Sequence, residues 1–268
     1  MIASMHNPRV KLAVRLRDHR QRRKEQLILI DGARELARAI AAGVALREVF
    51  VCRELCRSAE ARRLLELLPG HHVPMVGGGQ RIDVSAAVFA RLAFGQRAEG
   101  VVGVAAAPRR RLEDLVLPAR PLVAVLEGVE KPGNVGAVLR SADGAGVSAL
   151  VAVDPRTDLF NPNVIRASLG TVFSLPVAAA APGEVLAWLR GRGLQIVAAR
   201  VEGSVSYTEV DYRQPTAIVL GSEAQGLTSL WNGEGVRAIR LPMLGAADSL
   251  NVSAAAAVLF YEALRQRT

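Results

Sequence analysis

The second half of the chain contains the stretch Leu241-Pro-Met-Leu-Gly-Ala-Ala-Asp-Ser-Leu-Asn-Val-Ser253. Two earlier segments have the same design, Leu220-Gly-Ser-Glu-Ala-Gln-Gly226 and Asn134-Val-Gly-Ala-Val-Leu-Arg140. Each follows an apolar run typical of a strand, and each combines glycine with a few polar side chains. Because α/β sheets bind ligands at the turns that follow successive strands, these segments predict one pocket built from three loops.

Strands and helices alternate around these loops. Short apolar runs predict strands at Leu122–Glu127, Ala149–Asp154, Leu194–Ala199, Ala217–Leu220 and Val236–Leu241. Helical spacing of apolar residues predicts helices at Asn134–Gly146, Asn161–Ser168, Pro182–Arg192 and Val252–Gln266. This alternation indicates an α/β fold with a mostly parallel sheet covered on both faces.

The first hundred residues also read as strands and helices. Strands are predicted at Leu27–Asp31, Glu48–Cys52, His72–Val76 and Gly100–Ala106, and helices at Gly32–Ala42, Ser58–Leu68 and Asp83–Ala93. Ahead of them, Asn7–Lys24 is a helical stretch rich in Arg and Lys and poor in apolar residues. We interpret it as a basic arm and not as a core helix.

The charge of the chain is uneven. The formal net charge is +9, and residues 1–100 hold 18 Lys and Arg against 10 Asp and Glu. Such an excess suits a polyanion such as RNA, although a solvated surface would look the same. A Pro- and Arg-rich stretch follows, and the predicted domains are residues 1–107 (basic arm and RNA-binding domain), a linker at 108–120, and 121–268.

Several other classes of protein are disfavoured. No apolar run approaches the ~20 residues that span a bilayer, which predicts a cytoplasmic protein without membrane contact. Cys52 and Cys56 lack further ligands nearby in sequence, so we expect structural thiols and no metal site. Gly144-Ala-Gly-Val-Ser-Ala149 matches a dinucleotide fingerprint, but it ends a helix and leads into a strand, the reverse of the required order.

The three loops together resemble the motifs of the SpoU-type RNA ribose 2′-O-methyltransferases of the SPOUT superfamily. The matching residues are Asn134-x-Gly136-x3-Arg140, Gly221-Ser-Glu223-x2-Gly226, and Leu241-Pro242-x6-Ser249-Leu250-Asn251-Val252-Ser253. The resemblance implies a knotted parallel-sheet C-terminal domain, S-adenosylmethionine as cofactor, and a homodimer. The N-terminal part is similar to the family's smaller α/β ribosomal-protein-like domain, through Asn7-Pro-Arg-Val-Lys11 and Asp31-Gly-Ala-Arg-Glu35, with Asp31 where members usually have Glu.

The resemblance also implies roles for individual residues. The expected catalytic residues are Arg140, Asn134, Glu223, Ser249 and Asn251, and the expected cofactor-binding residues are Gly221, Leu241 and Leu250. Arg140 would lie at the reacting hydroxyl. Because a guanidinium is essentially always protonated, binding the adjacent phosphate is an easier role for it than that of a base. Glu223 is expected to hold Arg140 or Asn134.

Each of these residues also has a simpler interpretation. Asn251 and Ser249 could only cap the last helix, Gly221 could be a turn glycine, and Arg140 a solvated charge. The charge of the basic arm predicts RNA contacts for Arg15, Arg17, Arg20, Arg22, Arg23 and Lys24. We favour rRNA over tRNA as substrate. The alternatives left open are a tRNA ribose methyltransferase, a non-catalytic RNA-binding relative, and a small-molecule methyltransferase.

Overall fold

The computed structural model describes residues 1–68, 75–94 and 99–268, and for residues 75–79 it describes the backbone alone. The chain divides into two compact units, each with its own sheet. The first unit comprises Met1–Arg109 and Asp158–Ser174, and the second comprises Arg110–Thr157 and Leu175–Thr268. The domain ranges derived from the sequence stay a prediction.

The first unit is built on a mixed four-stranded sheet of order β1-β4-β2-β3. Its strands are β1 (Leu27–Asp31), β2 (Leu46–Val51), β3 (Met75–Asp83) and β4 (Val101–Ala106). β4 runs antiparallel to β1 and β2, and β3 runs parallel to β2. The helices, numbered in chain order, are α1 (Pro8–Arg15), α2 (His19–Glu25), α3 (Ala33–Ala41), α4 (Ala59–Leu67), α5 (Ala86–Leu92), α7 (Pro162–Ala167) and α8 (Thr171–Ser174).

The basic stretch at the start of the chain does enter the core, so its interpretation as a basic arm outside the core is wrong. Val10, Ala13 and Leu16 are buried and belong to the same apolar cluster as Phe89 and Leu92 of α5. These three residues recur every three positions and therefore share one face of α1. The stretch is also two helices, because the side chain of Asp18 accepts a hydrogen bond from the backbone of Gln21 and caps α2.

Two boundaries in the first unit also differ from the prediction. The strand expected at His72–Val76 begins in the structure at Met75, and residues 69–74 lie outside the described part of the chain. The strand then continues through the glycine run to Asp83, where a helix was expected to start. α5 begins at Ala86 because the hydroxyl of Ser85 accepts a hydrogen bond from the backbone of Val88 at 3.4 Å.

The second unit is built on a seven-stranded, all-parallel sheet of order β7-β6-β5-β10-β8-β11-β9. The strands are β5 (Leu122–Glu127), β6 (Ala149–Val153), β7 (Val177–Ala180), β8 (Gln195–Ala199), β9 (Val205–Ser206), β10 (Thr216–Leu220) and β11 (Val236–Arg240). The helices are α6 (Pro132–Gly144), α9 (Pro182–Gly191) and α10 (Val252–Arg267).

The central strands of this sheet are buried along their whole length. Every residue of β5, β6 and β10 is buried, as expected for a parallel sheet covered on both faces. Val185 and Leu189 of α9 pack into one core with these strands, and so do Leu112 and Leu115 from the segment predicted to be a linker. The predicted fold class, α/β with a parallel-sheet C-terminal domain, is confirmed, and the trefoil knot stays a prediction.

Long apolar helices are missing from the described part of the chain. None of the helices there is both long enough and apolar enough to cross a membrane. The predicted cytoplasmic location stays a prediction.

Candidate active site

Three loops of the second unit meet beyond the carboxyl ends of β5, β10 and β11. The carboxylate of Glu223 is their common partner: Asn134 Nδ2 and Lys131 Nζ each donate to one of its oxygens at 2.8 Å. The side-chain amide of Asn251 also donates to Glu223, and at 3.4 Å to Asn134 Oδ1. We call Lys131, Asn134, Glu223, Asn251 and Ser253 the polar cluster.

The first turns of two helices position this cluster. Pro132 starts α6, a position where its missing N–H costs nothing, and so Asn134 lies within the first turn. Asn251 caps α10, because its Oδ1 accepts from the backbone of Ser253 at 3.0 Å and from the hydroxyl of Ser253 at 2.6 Å. Its amide nitrogen therefore points toward Glu223. Asn251 thus caps the last helix and also joins the cluster.

The cluster holds Glu223 in its charged form. Hydrogen bonding by Lys131, followed by that of Asn134 and of the Val252 backbone, holds the pKa of the Glu223 carboxyl below its usual range. The hydrogen bond to Glu223 and the charge of its carboxylate in turn raise the pKa of the Lys131 ammonium. Both groups are accordingly ionised at neutral pH, and each neutralises the other beside a solvent-exposed surface.

The loop that carries Glu223 depends on glycine. Gly226 has a φ of 65°, in the left-handed region, and its N–H donates to the carbonyl of Ser222 at 2.9 Å. A Cβ on Gly221 would lie 2.3 Å from the carbonyl carbon and oxygen of Gly226. The tight turn after β10 therefore excludes a side chain at Gly221 and projects Glu223 away from the strand.

A cavity of about 380 Å³ adjoins the polar cluster. Its lining includes residues predicted to bind the cofactor and residues predicted to act in catalysis, namely Gly221, Leu241, Leu250, Glu223 and Ser249. Glu223 therefore belongs to both the cavity wall and the polar cluster. The structure brings all three predicted cofactor-binding residues to one place.

Arg140 stands apart from this arrangement. It is exposed on α6 and has no hydrogen bond or ion pair with any residue that the structure describes. Arg140 follows Asn134 by six positions in α6. This spacing corresponds to about 9 Å along the helix axis and about 240° around it. The expected bond between Glu223 and Arg140 is therefore absent from the described contacts, whereas the expected bond between Glu223 and Asn134 is present.

Three residues that support the site were not predicted. Lys131 was taken as a loop charge, although it directly precedes the proline that starts α6. Arg200 lines the cavity and donates to the carbonyl of Thr228 at 2.9 Å, while Glu127 accepts from the Thr228 backbone at 2.8 Å and from its hydroxyl at 2.9 Å. The detectable signal for Glu127 and Arg200 is that each is a charged residue at the carboxyl end of an apolar strand.

Two of the six residues predicted to contact RNA, Arg22 and Arg17, form hydrogen bonds within the first unit. Arg22 is only 3% exposed, and it donates to Asp158 at 2.8 Å and to the carbonyls of Leu16 and Arg17 at 3.0 and 2.8 Å. Burial and three hydrogen bonds within the fold leave little of the Arg22 guanidinium accessible to a phosphate, and its RNA contact stays a prediction.

Arg17 is also committed to the fold. One of its terminal nitrogens donates to the carbonyls of Arg91, Leu92 and Ala93 at the end of α5, at 2.7 to 3.2 Å, and its guanidinium lies over the ring of Phe94. It therefore serves as a helix C-terminal partner. The other four predicted residues, Arg15, Arg20, Arg23 and Lys24, are exposed.

The cysteines are buried, free thiols of the first unit, and burial raises the pKa of each. Across residues 1–68, 75–94 and 99–268, no three His, Cys, Asp or Glu side chains form a group that could hold a metal ion.

Comparison with known families decides the relationship. The sequence profile of the SpoU rRNA methylase family matches residues 121–261, which is more than half of the chain. The chain belongs to the SpoU rRNA methylase family. A second profile, that of the MRM3-like substrate binding domain, matches residues 7–103 of this SpoU family member. The family resemblance inferred from the three motifs is confirmed.

Similar proteins cover nearly all of this SpoU family chain. A 23S rRNA (uridine(2479)-2′-O)-methyltransferase of Streptomyces viridochromogenes is 30% identical over 94% of this chain and 86% of its own. A crystal structure of an RNA 2′-O ribose methyltransferase is 40% identical, with a TM-score of 0.85 and coverage of 99% and 98%. The AdoMet-bound rRNA methyltransferase from Sinorhizobium meliloti is 28% identical, with a TM-score of 0.86 and coverage of 100% and 98%.

Proposed function

We infer that this chain methylates a ribose 2′-hydroxyl of 23S rRNA, with the polar cluster and its adjoining cavity as the active centre. Its activity class is that of an S-adenosylmethionine-dependent RNA ribose 2′-O-methyltransferase. The observation that carries the assignment of the site is the double position of Glu223, which lines the cavity and also binds Asn134 and Asn251. A bound cofactor and the polar cluster would then be in contact.

The cavity has the size and chemistry for S-adenosylmethionine. Small-molecule pockets have volumes of about 300–1,000 Å³ and combine apolar walls with a few placed polar groups. Leu220, Leu227, Leu241 and Leu250 give this cavity apolar walls for an adenine ring. Its three carboxylates, Glu202, Glu223 and Asp248, outnumber Arg200 in the lining, an excess that complements an ammonium and a sulfonium. Gly221, which has no side chain, also lines the wall. When bound, S-adenosylmethionine supplies an electrophilic methyl group.

The residues of the site have distinct roles in this proposal. The target hydroxyl is a poor nucleophile, so the enzyme must align it and assist removal of its proton. Arg140, exposed and without a described partner, would bind the phosphate next to the target ribose and orient its hydroxyl. Asn134 and Asn251, fixed by the charged carboxylate of Glu223, would hold the ribose edge and the loops in place. Ser249, exposed on the cavity wall, would contact cofactor or phosphate.

The substrate assignment rests on the relatives and on charge. The Streptomyces viridochromogenes relative is by its name a 23S rRNA methyltransferase, and it covers nearly the whole chain. Exposed basic side chains in the first unit, such as Arg15, Arg20 and Arg23, suit a large folded RNA. The alternative substrate is tRNA, and the methyl-transfer test described below distinguishes tRNA from 23S rRNA. A catalytically inactive relative would not need the intact set of Arg140, Glu223 and Asn251.

A homodimer is part of the proposal. Val258 and Tyr261 are exposed on α10, where they offer apolar surface next to α6, and Tyr261 lies against Gly144 of that helix. A second copy of the chain covering this face would bury both side chains. Sedimentation at micromolar concentration should give twice the monomer mass, and Tyr261→Glu should reduce it to the monomer mass.

The test of the proposed function is methyl transfer to purified RNA. Unmodified 23S rRNA, 16S rRNA and bulk tRNA are each incubated with the full chain and S-adenosylmethionine labelled in its methyl group. We expect saturable labelling of 23S rRNA, at about one methyl per molecule, and background labelling of the others. Labelling of tRNA alone would replace the substrate, and labelling of no RNA would overturn the proposed function.

A further inference from the structure

The first unit contains a second cleft, distinct from the cavity described above. It has a volume of about 440 Å³ and lies between α1, the end of α2, and strands β2 and β3. Its charged and polar lining consists of Arg9, Arg15, Arg47, Glu25, Glu48 and Gln80. We call it the arginine cleft. Nothing in the proposed chemistry of the second unit uses it.

One arginine of the cleft is held in place by the fold. Arg9 Nη1 donates to the side-chain oxygen of Gln80 at 2.9 Å, and Arg9 Nε lies 3.4 Å from Glu48 Oε1. These two contacts fix the plane of its guanidinium and leave Nη2 for a ligand. An arginine oriented in advance loses less conformational freedom on binding an anion than a free one.

The other two arginines lack such partners. Arg15 and Arg47 are exposed, and neither forms a hydrogen bond or an ion pair with a described residue. They come from different elements, α1 and β2, yet they line the same cleft. Three guanidinium groups that converge on one cleft, with two of them unpaired, indicate an anionic ligand.

Two carboxylates in the same cleft further restrict the class of anionic ligand that can bind there. Glu48 is buried and its Oε2 has no hydrogen-bond donor among the described residues, and Glu25 is half-buried and also without a described partner. Carboxylates accept hydrogen bonds only, so a simple phosphate would be repelled by them. A nucleotide instead carries a phosphate together with donors, namely base amino groups and the ribose 2′-hydroxyl.

We propose that the arginine cleft binds one nucleotide of the substrate RNA, with its phosphodiester on Arg9, Arg15 and Arg47 and a base or ribose donor on Glu25. This site rests on the proposed function, because its ligand is the RNA that the second unit methylates. The cleft holds none of the residues proposed for methyl transfer, and so it contributes to RNA affinity and not to the chemical step.

The experiment compares variants of the full chain that carry the same change in charge. Arg15→Gln/Arg47→Gln removes the two unpaired arginines of the cleft, and Arg62→Gln/Arg63→Gln removes two exposed arginines of α4 as the matched control. RNA affinity is measured at several salt concentrations, and methyl transfer is measured as KM for RNA and kcat. Melting temperatures verify that both variants are folded.

We expect the cleft variant to raise the KM for 23S rRNA at least about tenfold, as loss of charge-assisted hydrogen bonds implies, with unchanged kcat. Its salt slope should fall by about 0.7 units, because the cleft holds one phosphodiester and one single-strand phosphate contact contributes about that much. Arg15→Lys/Arg47→Lys should regain most of the slope, because the charges return. Equal effects of the cleft variant and the α4 control would overturn the proposal, whereas a wild-type chain that methylates no RNA would overturn the proposed function.

A single substitution tests whether the ligand is a nucleotide or only a phosphate. If Glu25 accepts a donor of the RNA, Glu25→Gln removes a charge-assisted bond and weakens RNA binding several-fold. If Glu25 only repels a phosphate, the same change strengthens RNA binding and steepens the salt slope. The two hypotheses therefore predict opposite changes in RNA affinity for Glu25→Gln. Tighter binding would overturn the assignment of a nucleotide to the cleft.

Discussion

In the polar cluster of the second unit charged side chains bind one another near the surface, whereas in the basic helices of the first unit they bind the fold itself. The Lys131 side chain is 74% exposed and its partner Glu223 is 28% exposed. Arg22, by contrast, is 3% exposed and donates hydrogen bonds to one carboxylate and two backbone carbonyls. The same kind of charge thus serves the proposed reaction centre in one region and stability in the other.

This difference has an energetic basis. Exposed ion pairs contribute about 0–1 kcal/mol, so the polar cluster can be altered with little loss of stability. Removing one partner of a buried pair costs about 3–5 kcal/mol, because an uncompensated charge stays behind. We therefore expect substitutions in the second-unit site to change activity at constant stability, and substitutions of buried charges in the first unit to change stability.

The largest effect is expected at Arg140. Arg140→Ala should lower the rate of methyl transfer about a thousandfold, within the range that placed groups contribute to proton transfer and charge stabilisation. Because Arg140 is exposed and without a described partner, the melting temperature should not change. Single-turnover methyl transfer and thermal unfolding measure the two effects. A variant that keeps near-normal turnover would remove Arg140 from the reaction.

The next effect separates two arginines that are neighbours in sequence. Arg22→Ala should lower the free energy of unfolding by about 3 kcal/mol, the low end for buried ion pairs, because Asp158 stays partly exposed. The change leaves the Asp158 carboxylate, the buried carbonyl of Leu16 and the part-buried carbonyl of Arg17 without this donor. Arg20→Ala, an exposed change in the same helix, should cost less than about 0.5 kcal/mol. Urea denaturation measures both. Similar stabilities of the two variants would contradict the structural role assigned to Arg22.

A third expectation concerns the pH dependence of stability in the first unit. Burial raises the pKa of Asp31 from its ordinary value of 3.8 to about 6, although the Phe94 backbone hydrogen bond and the charge of Arg166 both lower it. The folded state therefore binds more protons than the unfolded state between these values, and the stability from Asp31 is present below pH ~4 and lost as the pH rises through ~6.

Substitution of Asp31 by Asn should remove this dependence. The stability of the wild type relative to Asp31→Asn should fall by about 2 kcal/mol between pH 4 and 6.5, out of ~3 kcal/mol over the whole titration, since one pKa unit corresponds to ~1.4 kcal/mol. Comparison of the two chains removes the part of the Glu35 contribution that is independent of Asp31. Burial also raises the pKa of Glu35, and the charge of Glu35 adds to the shift of Asp31. Urea titrations at a series of pH values measure the difference, and parallel curves would refute the assignment.

The smallest effect is expected at Lys131. Lys131→Ala removes an exposed partner of Glu223 but leaves the bonds from Asn134 and Asn251, so turnover should fall only about threefold. The cluster would lose its only ammonium but keep its geometry. Steady-state kinetics at neutral pH measure this change. A loss as large as that of Arg140→Ala would mean that Lys131 itself contacts substrate.

The parallel sheet and its site follow largely from sequence, because their signals are local. β5 is a continuous apolar run, and its bounds match the prediction at Leu122–Glu127. Asn134, Glu223 and Asn251 follow three strands of a parallel sheet, so their proximity is a consequence of topology. β7 was missed because Val177–Ala180 is mostly alanine, which lacks the branched side chains typical of strands.

The charged residues of the first unit could not be assigned from sequence. Arg22 and Arg20 lie two positions apart and have the same composition around them, yet one is buried and the other exposed. What distinguishes them is Asp158, which is 136 residues away in the chain. Long basic side chains reach partners that only the folded structure brings near, and so the number of basic residues in a stretch overstates the surface available to RNA.

The most direct test of this account is where on the RNA the transferred methyl group lies. Labelled 23S rRNA from the methyl transfer reaction is hydrolysed with alkali, which needs a free 2′-hydroxyl to cleave the adjacent phosphodiester. We predict that the label is recovered in alkali-resistant dinucleotides when the wild-type chain is used, and that Arg140→Ala gives none. Label recovered in mononucleotides would place the methyl group on a base and contradict the account.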